Sequence, residues 1–152
     1  MRPFSLLYCT LSVPCFLNSA PTESTMAPIV RRVKPDSEYF FTEGCYILEL
    51  ANSPDDPNLS IARARVKPGV TTRLHRLQGI TERYVILEGT GMVEVGGQIV
   101  QPVGPGDVVT IAPQCPQRIT NTGIADLVFL AVCTPRFVPT AYEDIDEDVD
   151  SV

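Results

Sequence analysis

His75 is the single histidine among 152 residues, so any site that takes two imidazoles from one chain is excluded, including the three-histidine zinc site and the two-histidine-one-carboxylate iron site. What His75 can still do is exchange a proton near neutral pH. The residues able to work with it lie on short extended stretches, where side chains two apart face the same way. That alternation puts Arg73 and Leu77 on the face of His75, Tyr84 and Ile86 on the face of Glu82, and Cys115 and Ile119 on the face of Gln117. If these faces line one cavity, His75 and Glu82 are a base and an acid whose surroundings can push their pKa values apart. Arg73 would then orient an anionic group or pair with Glu82, and Tyr84 or Gln117 would hydrogen-bond a developing oxyanion. The five cysteines, Cys9, Cys15, Cys45, Cys115 and Cys133, are odd in number and lack paired metal-site spacing. They read as reduced thiols, with Cys115 either a packing residue or a soft ligand beside His75.

The elements that must position these side chains are short strands. Ten Gly and fourteen Pro leave no interval longer than eleven residues free of both between Ala27 and Pro139, which rules out a helical bundle. The pattern predicts strands at Tyr39 to Phe41, Cys45 to Leu50, Leu59 to Val66, Thr71 to Leu77, Glu82 to Leu87, Met92 to Val95, Val108 to Ile111, Gln117 to Thr120 and Leu127 to Cys133. Turns at Pro68-Gly69, Gly89-Thr90-Gly91, Gly96-Gly97 and Asn121-Thr122-Gly123 separate them. Evenly spaced strands without crossover helices mean an all-β antiparallel sandwich or barrel.

Two separated stretches carry a resemblance. GVTTRLHRLQGITERYVILEG, Gly69 to Gly89, and GDVVTIAPQCPQRITN, Gly106 to Asn121, resemble the paired signatures of the cupin superfamily, with Gly69, His75, Glu82 and Gly89 in register in the first and Gly106 and Asn121 in the second. The resemblance covers roughly Leu59 to Pro135. It implies a small single-domain type-2 cupin, a jelly-roll β-barrel or double-stranded β-helix, with a metal position inside the barrel mouth. It also implies that the four metal-ligand positions fall on His75, Leu77, Glu82 and Gln117, so two of the usual histidines are replaced. His75, Glu82 and Gln117 remain as a ligand set, one better suited to Mn²⁺ or Mg²⁺ than to Zn²⁺.

The chain divides into a leader or mis-assigned start over residues 1–25, expected to be disordered, a domain over 26–139, and an acidic tail over 140–152, also expected to be disordered. The leader lacks acidic residues and holds an apolar run interrupted by Pro14, a weak targeting signal; the thiols favour the cytoplasm. The net charge of −6 comes from the last ten residues, while the remaining body balances twelve basic against twelve acidic side chains. That gives no footprint for nucleic acid or for a membrane surface. A small-molecule ligand is the expected partner, and apolar faces at Tyr46 to Leu50 and Leu127 to Cys133 suggest a homodimer. Two functions fit: a proton-transfer enzyme of isomerase, epimerase or dehydratase type acting on a carboxylated metabolite, or a non-catalytic cupin that binds a ligand or serves as a scaffold.

Overall fold

The computed structural model describes residues 30–97 and 99–146. Eleven strands follow in chain order: β1 Tyr39–Phe41, β2 Cys45–Ala51, β3 Ser60–Val66, β4 His75–Leu77, β5 Thr81–Glu88, β6 Gly91–Val95, β7 Ile99–Val103, β8 Val108–Ile111, β9 Gln117–Asn121, β10 Leu127–Thr134 and β11 Tyr142–Asp144. All pairings are antiparallel, and they form a six-stranded sheet, β1-β2-β3-β10-β5-β8, and a five-stranded sheet, β11-β4-β9-β6-β7. The two sheets make an antiparallel barrel, as the strand pattern implied, of the jelly-roll kind that the resemblance implied. None of the described helices is long and apolar enough to cross a membrane.

Alternation builds the core. Tyr84 and Ile86 of β5, Leu127 and Phe129 of β10, and Ala64 and Val66 of β3 meet Val93 of β6 and Ile119 of β9 in one buried cluster. A second, smaller cluster of Leu77, Ile80, Cys133 and Ala141 closes the other end of the barrel, with Phe137, Val138 and Tyr142 packed against it. The glycine at the β5–β6 turn is required by geometry: Gly89 has φ of +80°, and a Cβ there would sit 2.6 Å from the Asp126 carbonyl oxygen. Asn121, fully buried, ties the β9 end down by donating from Nδ2 to the carbonyls of Val66 and Ala125 and accepting from the Gly123 amide.

Three parts of the fold differ from the pattern-based reading. The strand expected over Thr71 to Leu77 is interrupted: Thr71 bridges Thr120 and His75 pairs with Gln117, so four steps along one chain match three along the other. That one extra residue is a bulge, and it reverses which side chains face inward. Strand β7, which contains Pro102, was not anticipated; it is an edge strand, where Pro is tolerated. The domain also does not stop at 139. A 3-10 turn at Pro139–Ala141 leads into β11, which pairs with β4, so Tyr142–Asp144 join the sheet within the stretch expected to be a disordered tail. Net charge concealed this, because each acid there has a local partner: Glu143 binds Arg76 through two hydrogen bonds of 2.9 and 2.7 Å, Asp144 binds Arg73, and Asp146 accepts from the Leu74 amide. The leader at 1–25 and the last six residues lie outside the described residues.

Candidate functional site

At the end of the barrel marked by the second cluster lies a cavity of about 70 Å³. Its polar walls are His75 from β4, Glu82 from β5, Glu43 from the β1–β2 corner and Tyr142 from β11; its apolar walls include Phe41, Ile47, Leu77, Ala131 and Phe137. His75 is only 2% exposed and packs face to face on the Tyr142 ring, with centroids 5.1 Å apart. Its Nδ1 lies 2.9 Å from the Arg73 carbonyl oxygen, so Nδ1 carries the proton and donates, and Nε2 keeps its lone pair. That Nε2 sits 3.8 Å from a Glu43 carboxylate oxygen, too far for a hydrogen bond.

Burial sets the electrostatics. Desolvation pushes the Glu43 carboxyl up to about 8, and nearby Asp144 adds to the rise. Desolvation likewise lifts Glu82 to about 7; the charge of Glu43 adds to that, and His75 and the hydrogen bonds from Gln117 and Cys133 oppose it. The His75 pKa is lowered, first by desolvation, with the Arg73 carbonyl pulling the other way. Near neutral pH the site therefore holds a neutral imidazole beside two carboxyl groups that can each keep or release a proton.

The sequence-derived candidates divide into those that converge here and those that do not. His75 and Glu82 line the cavity, and Leu77 lines it as an apolar wall. Gln117 is buried behind Glu82 and donates from Nε2 to Glu82 Oε2 at 2.7 Å, leaving its own Oε1 buried without a partner. Tyr84 is 2% exposed and stacks at a tilt on Phe129, 4.5 Å between centroids, inside the main core. It is not among the residues that line the cavity. Arg73 is not among them either: the bulge after Thr71 turns Thr72 inward, where its Oγ1 accepts from the Ile119 amide, and Arg73 binds Asp144 at the partly exposed edge. The expected anion anchor is therefore not in the cavity, and no described residue lining it is Lys or Arg. Cys115 packs against the main core.

Glu43 and Tyr142 are the residues that reading the motifs missed. Neither stands in a signature, and Glu43 lies between the first two strands that the pattern predicts. A signal for Tyr142 was present: Tyr142 and Ile145 flank Glu143 and Asp144 with apolar side chains, and Arg76 finds its outward partner, Glu143, on the strand paired with its own.

The donor set does not fit a tightly held metal. Leu77 cannot ligate, Gln117 turns its amide nitrogen rather than its oxygen toward Glu82, and among the described residues no group of three or more His, Cys, Asp or Glu side chains is arranged to hold an ion. The Mn²⁺ or Mg²⁺ expectation drew on the Gln117 oxygen, but it is Gln117 Nε2 that meets Glu82, and Oε1 is buried without a partner.

Comparison with other proteins agrees with the fold. Residues 62–133 match the cupin domain family. An uncharacterised protein of Methanocaldococcus jannaschii is 33% identical over 119 residues, which span 74% of this chain and 86% of that one. An oxalate-binding protein of Thermotoga maritima is 41% identical over 71 residues, 47% of this chain and 58% of that one. Among solved structures, a Thermotoga maritima protein described as a predicted oxalate decarboxylase superposes with a TM-score of 0.60 at 27% identity, covering 68% of this chain and 98% of that chain. A nucleoside dehydratase from Streptomyces superposes with a TM-score of 0.64 at 14% identity, over 78% of this chain and 92% of that chain, a likeness of fold alone. With both signatures in register, the barrel closed as they imply, and these relatives sharing it, the chain belongs to the cupin superfamily as a small type-2 cupin.

Proposed function

We propose that this cupin is an enzyme that moves protons on a small molecule held in the barrel mouth, in a reaction of isomerase, epimerase or dehydratase type. The observation that carries the reading is the pairing of a neutral His75, its Nε2 lone pair free and its ring fixed through Nδ1, with two buried carboxyls titrating near neutrality. A base and an acid with such values can each be in the working state at pH 7. His75 is the base at Nε2. Glu82, oriented by Gln117, and Glu43 are the acids, and the Tyr142 hydroxyl, buried without a partner, is a hydrogen-bond donor for a developing oxyanion. A carboxylated substrate loses its support with Arg73 bound to Asp144 outside the cavity. The test is to screen small hydroxy and carbonyl compounds by thermal shift, then follow bound ligands by NMR in deuterium oxide. Exchange of a carbon-bound proton that disappears in Glu82→Gln supports the reading; ligands that bind without any exchange sink it.

A second reading is the non-catalytic binding module. It is favoured by Leu77 and by the Thermotoga maritima relative described as oxalate-binding, and the same screen decides it. For assembly we propose a homodimer, supported by the exposure of Phe40 and Val108 on the outer strands, and light scattering giving the mass of one chain would refute it.

A further inference from the structure

The cavity is rich in acceptors and lacks a cation. Two of its walls are the buried carboxyl groups of Glu43 and Glu82, exposed Glu49 stands at its rim, and the rings of Tyr39, Phe41, Phe137 and Tyr142 line it as well. Phe41 meets Tyr142 edge to face with centroids 5.3 Å apart, so the two rings form a corner rather than a filled stack. The 2% exposed His75 presents Nε2 on this cavity with no hydrogen bond from any described residue, and Glu43 accepts none on its carboxylate from any described residue. Behind Glu82, the Gln117 Oε1 is a further buried acceptor without a partner. A buried carboxyl keeps its proton or, when ionised, is met by a cation. Here the lining supplies neither Lys nor Arg.

We propose that the cavity takes a small organic ammonium group, its N–H donors meeting Glu43, Glu82 and His75 Nε2 and its carbon side lying against the Phe41–Tyr142 corner. An ammonium is the ligand chemistry that satisfies both halves of the lining. Its three donors match the converging acceptors, and its charge is attracted by the faces of aromatic rings. A cavity of about 70 Å³ has room for a small ammonium group. An ammonium can meet both groups as ionised carboxylates, whereas a ligand carboxylate would require both to stay protonated and a neutral alcohol would gain no charge-assisted hydrogen bond. The inference deepens the proposed function by naming the substrate class: a small amine or amino alcohol whose reacting carbon lies beside His75.

The test is an NMR titration of the full chain with three probes of similar size: 2-hydroxyethylammonium, ethylene glycol and glycolate. The expected result is that the ammonium binds at least about tenfold more tightly than the diol, with glycolate weakest, as a charge-assisted hydrogen bond to a buried carboxylate implies. The advantage should be lost in Glu43→Gln and in Glu82→Gln; both are isosteric, and if one folds poorly the other serves. Equal affinities, a preference for glycolate, or an ammonium preference that survives in both variants would overturn the proposal. Tight Mn²⁺ binding that excludes the ammonium would overturn it as well, because the missing cation would then be a metal. Selective ammonium binding without deuterium exchange removes the enzyme and leaves this site, whereas exchange on a diol or a carboxylate with no ammonium preference removes this site and leaves the enzyme.

Discussion

Replacing Glu43 by Gln should flatten the dependence of stability on alkaline pH. In the native chain Glu43 titrates near 8 and Glu82 near 7, against an ordinary value of 4.5 for both. Above pH 7 the unfolded chain has ionised both groups while the native chain still holds protons, so raising the pH favours unfolding. Stability falls by about 1.4 kcal/mol per pH unit while a native group still holds its proton and stops falling above its native value, so between pH 7 and 9 Glu43 accounts for about 1.4 kcal/mol of lost stability and Glu82 for less than about 0.5 kcal/mol. The amide removes the first contribution and, by deleting the charge that helps lift Glu82, reduces the second. His75, its charged form disfavoured by burial, is neutral in both states over most of this interval. The thiols of Cys45 and Cys133, held protonated by burial, add slope near pH 9 equally in both proteins. Urea denaturation at half-unit steps from pH 7 to 9 measures the difference. These two groups should cost the wild-type protein about 2 kcal/mol over the interval and Glu43→Gln less than about 0.5 kcal/mol, with unchanged m values. Parallel curves would refute the reasoning, since they would mean that Glu43 is already ionised in the native state at pH 7 and that the cavity compensates its charge.

Asn121→Ala should cost about 2 to 4 kcal/mol in denaturant unfolding, because it strands two carbonyls and one amide that the buried side chain now satisfies. Gly89→Ala should cost more than about 2 kcal/mol, since a positive φ and a 2.6 Å approach to backbone both oppose a methyl group. Leu77→His places an imidazole on the cavity wall beside His75 and Glu82, and isothermal titration with Mn²⁺ should show at least about tenfold tighter binding than wild type. No gain would mean that the geometry around the old ligand positions has been rebuilt.

The barrel was legible because its determinants are local: alternation, turn glycines and two signatures whose spacing is set by strands that pair with one another. Eight of the anticipated strands follow this logic closely, from Tyr39–Phe41 to Leu127–Thr134. The site was half legible for the same reason. His75, Glu82 and Gln117 stand on paired strands in the signatures, so their convergence followed from register, and His75 does oppose Gln117. Arg73 was misplaced because alternation assumes an unbroken ladder, and the extra residue between Thr71 and His75 breaks it. Glu43 could not be reached by either route: it is a corner residue, and only the folding of the β1–β2 corner onto β4, where the Arg73 amide donates to the Glu43 carbonyl, brings it to the cavity. Tyr142 was hidden by counting charge without asking which basic side chains the acids would meet.

The two residues outside the signatures change what the signatures' remnant can do. With histidines at positions 77 and 117 the Glu82 carboxylate would be one ligand among four around a metal ion; with Leu77 and Gln117 it keeps one hydrogen bond from an amide and a weak one from the Cys133 thiol at 3.6 Å. Glu43 then adds a second carboxyl rather than a counter-charge, and Tyr142 covers the imidazole with a ring rather than with a donor. Each change moves the cavity in the same direction, toward groups that release or accept protons near pH 7 and away from groups that fix an ion. A barrel whose ligand set had merely decayed would be expected to gain apolar side chains in place of the lost histidines, since burying uncompensated carboxyls destabilises the fold. Leu77 is such a replacement, but Glu82 is retained and Glu43 adds a second carboxyl beside it, and stability lost to two buried carboxyls supports the proposed proton-transfer role, since proteins keep such strain at working sites.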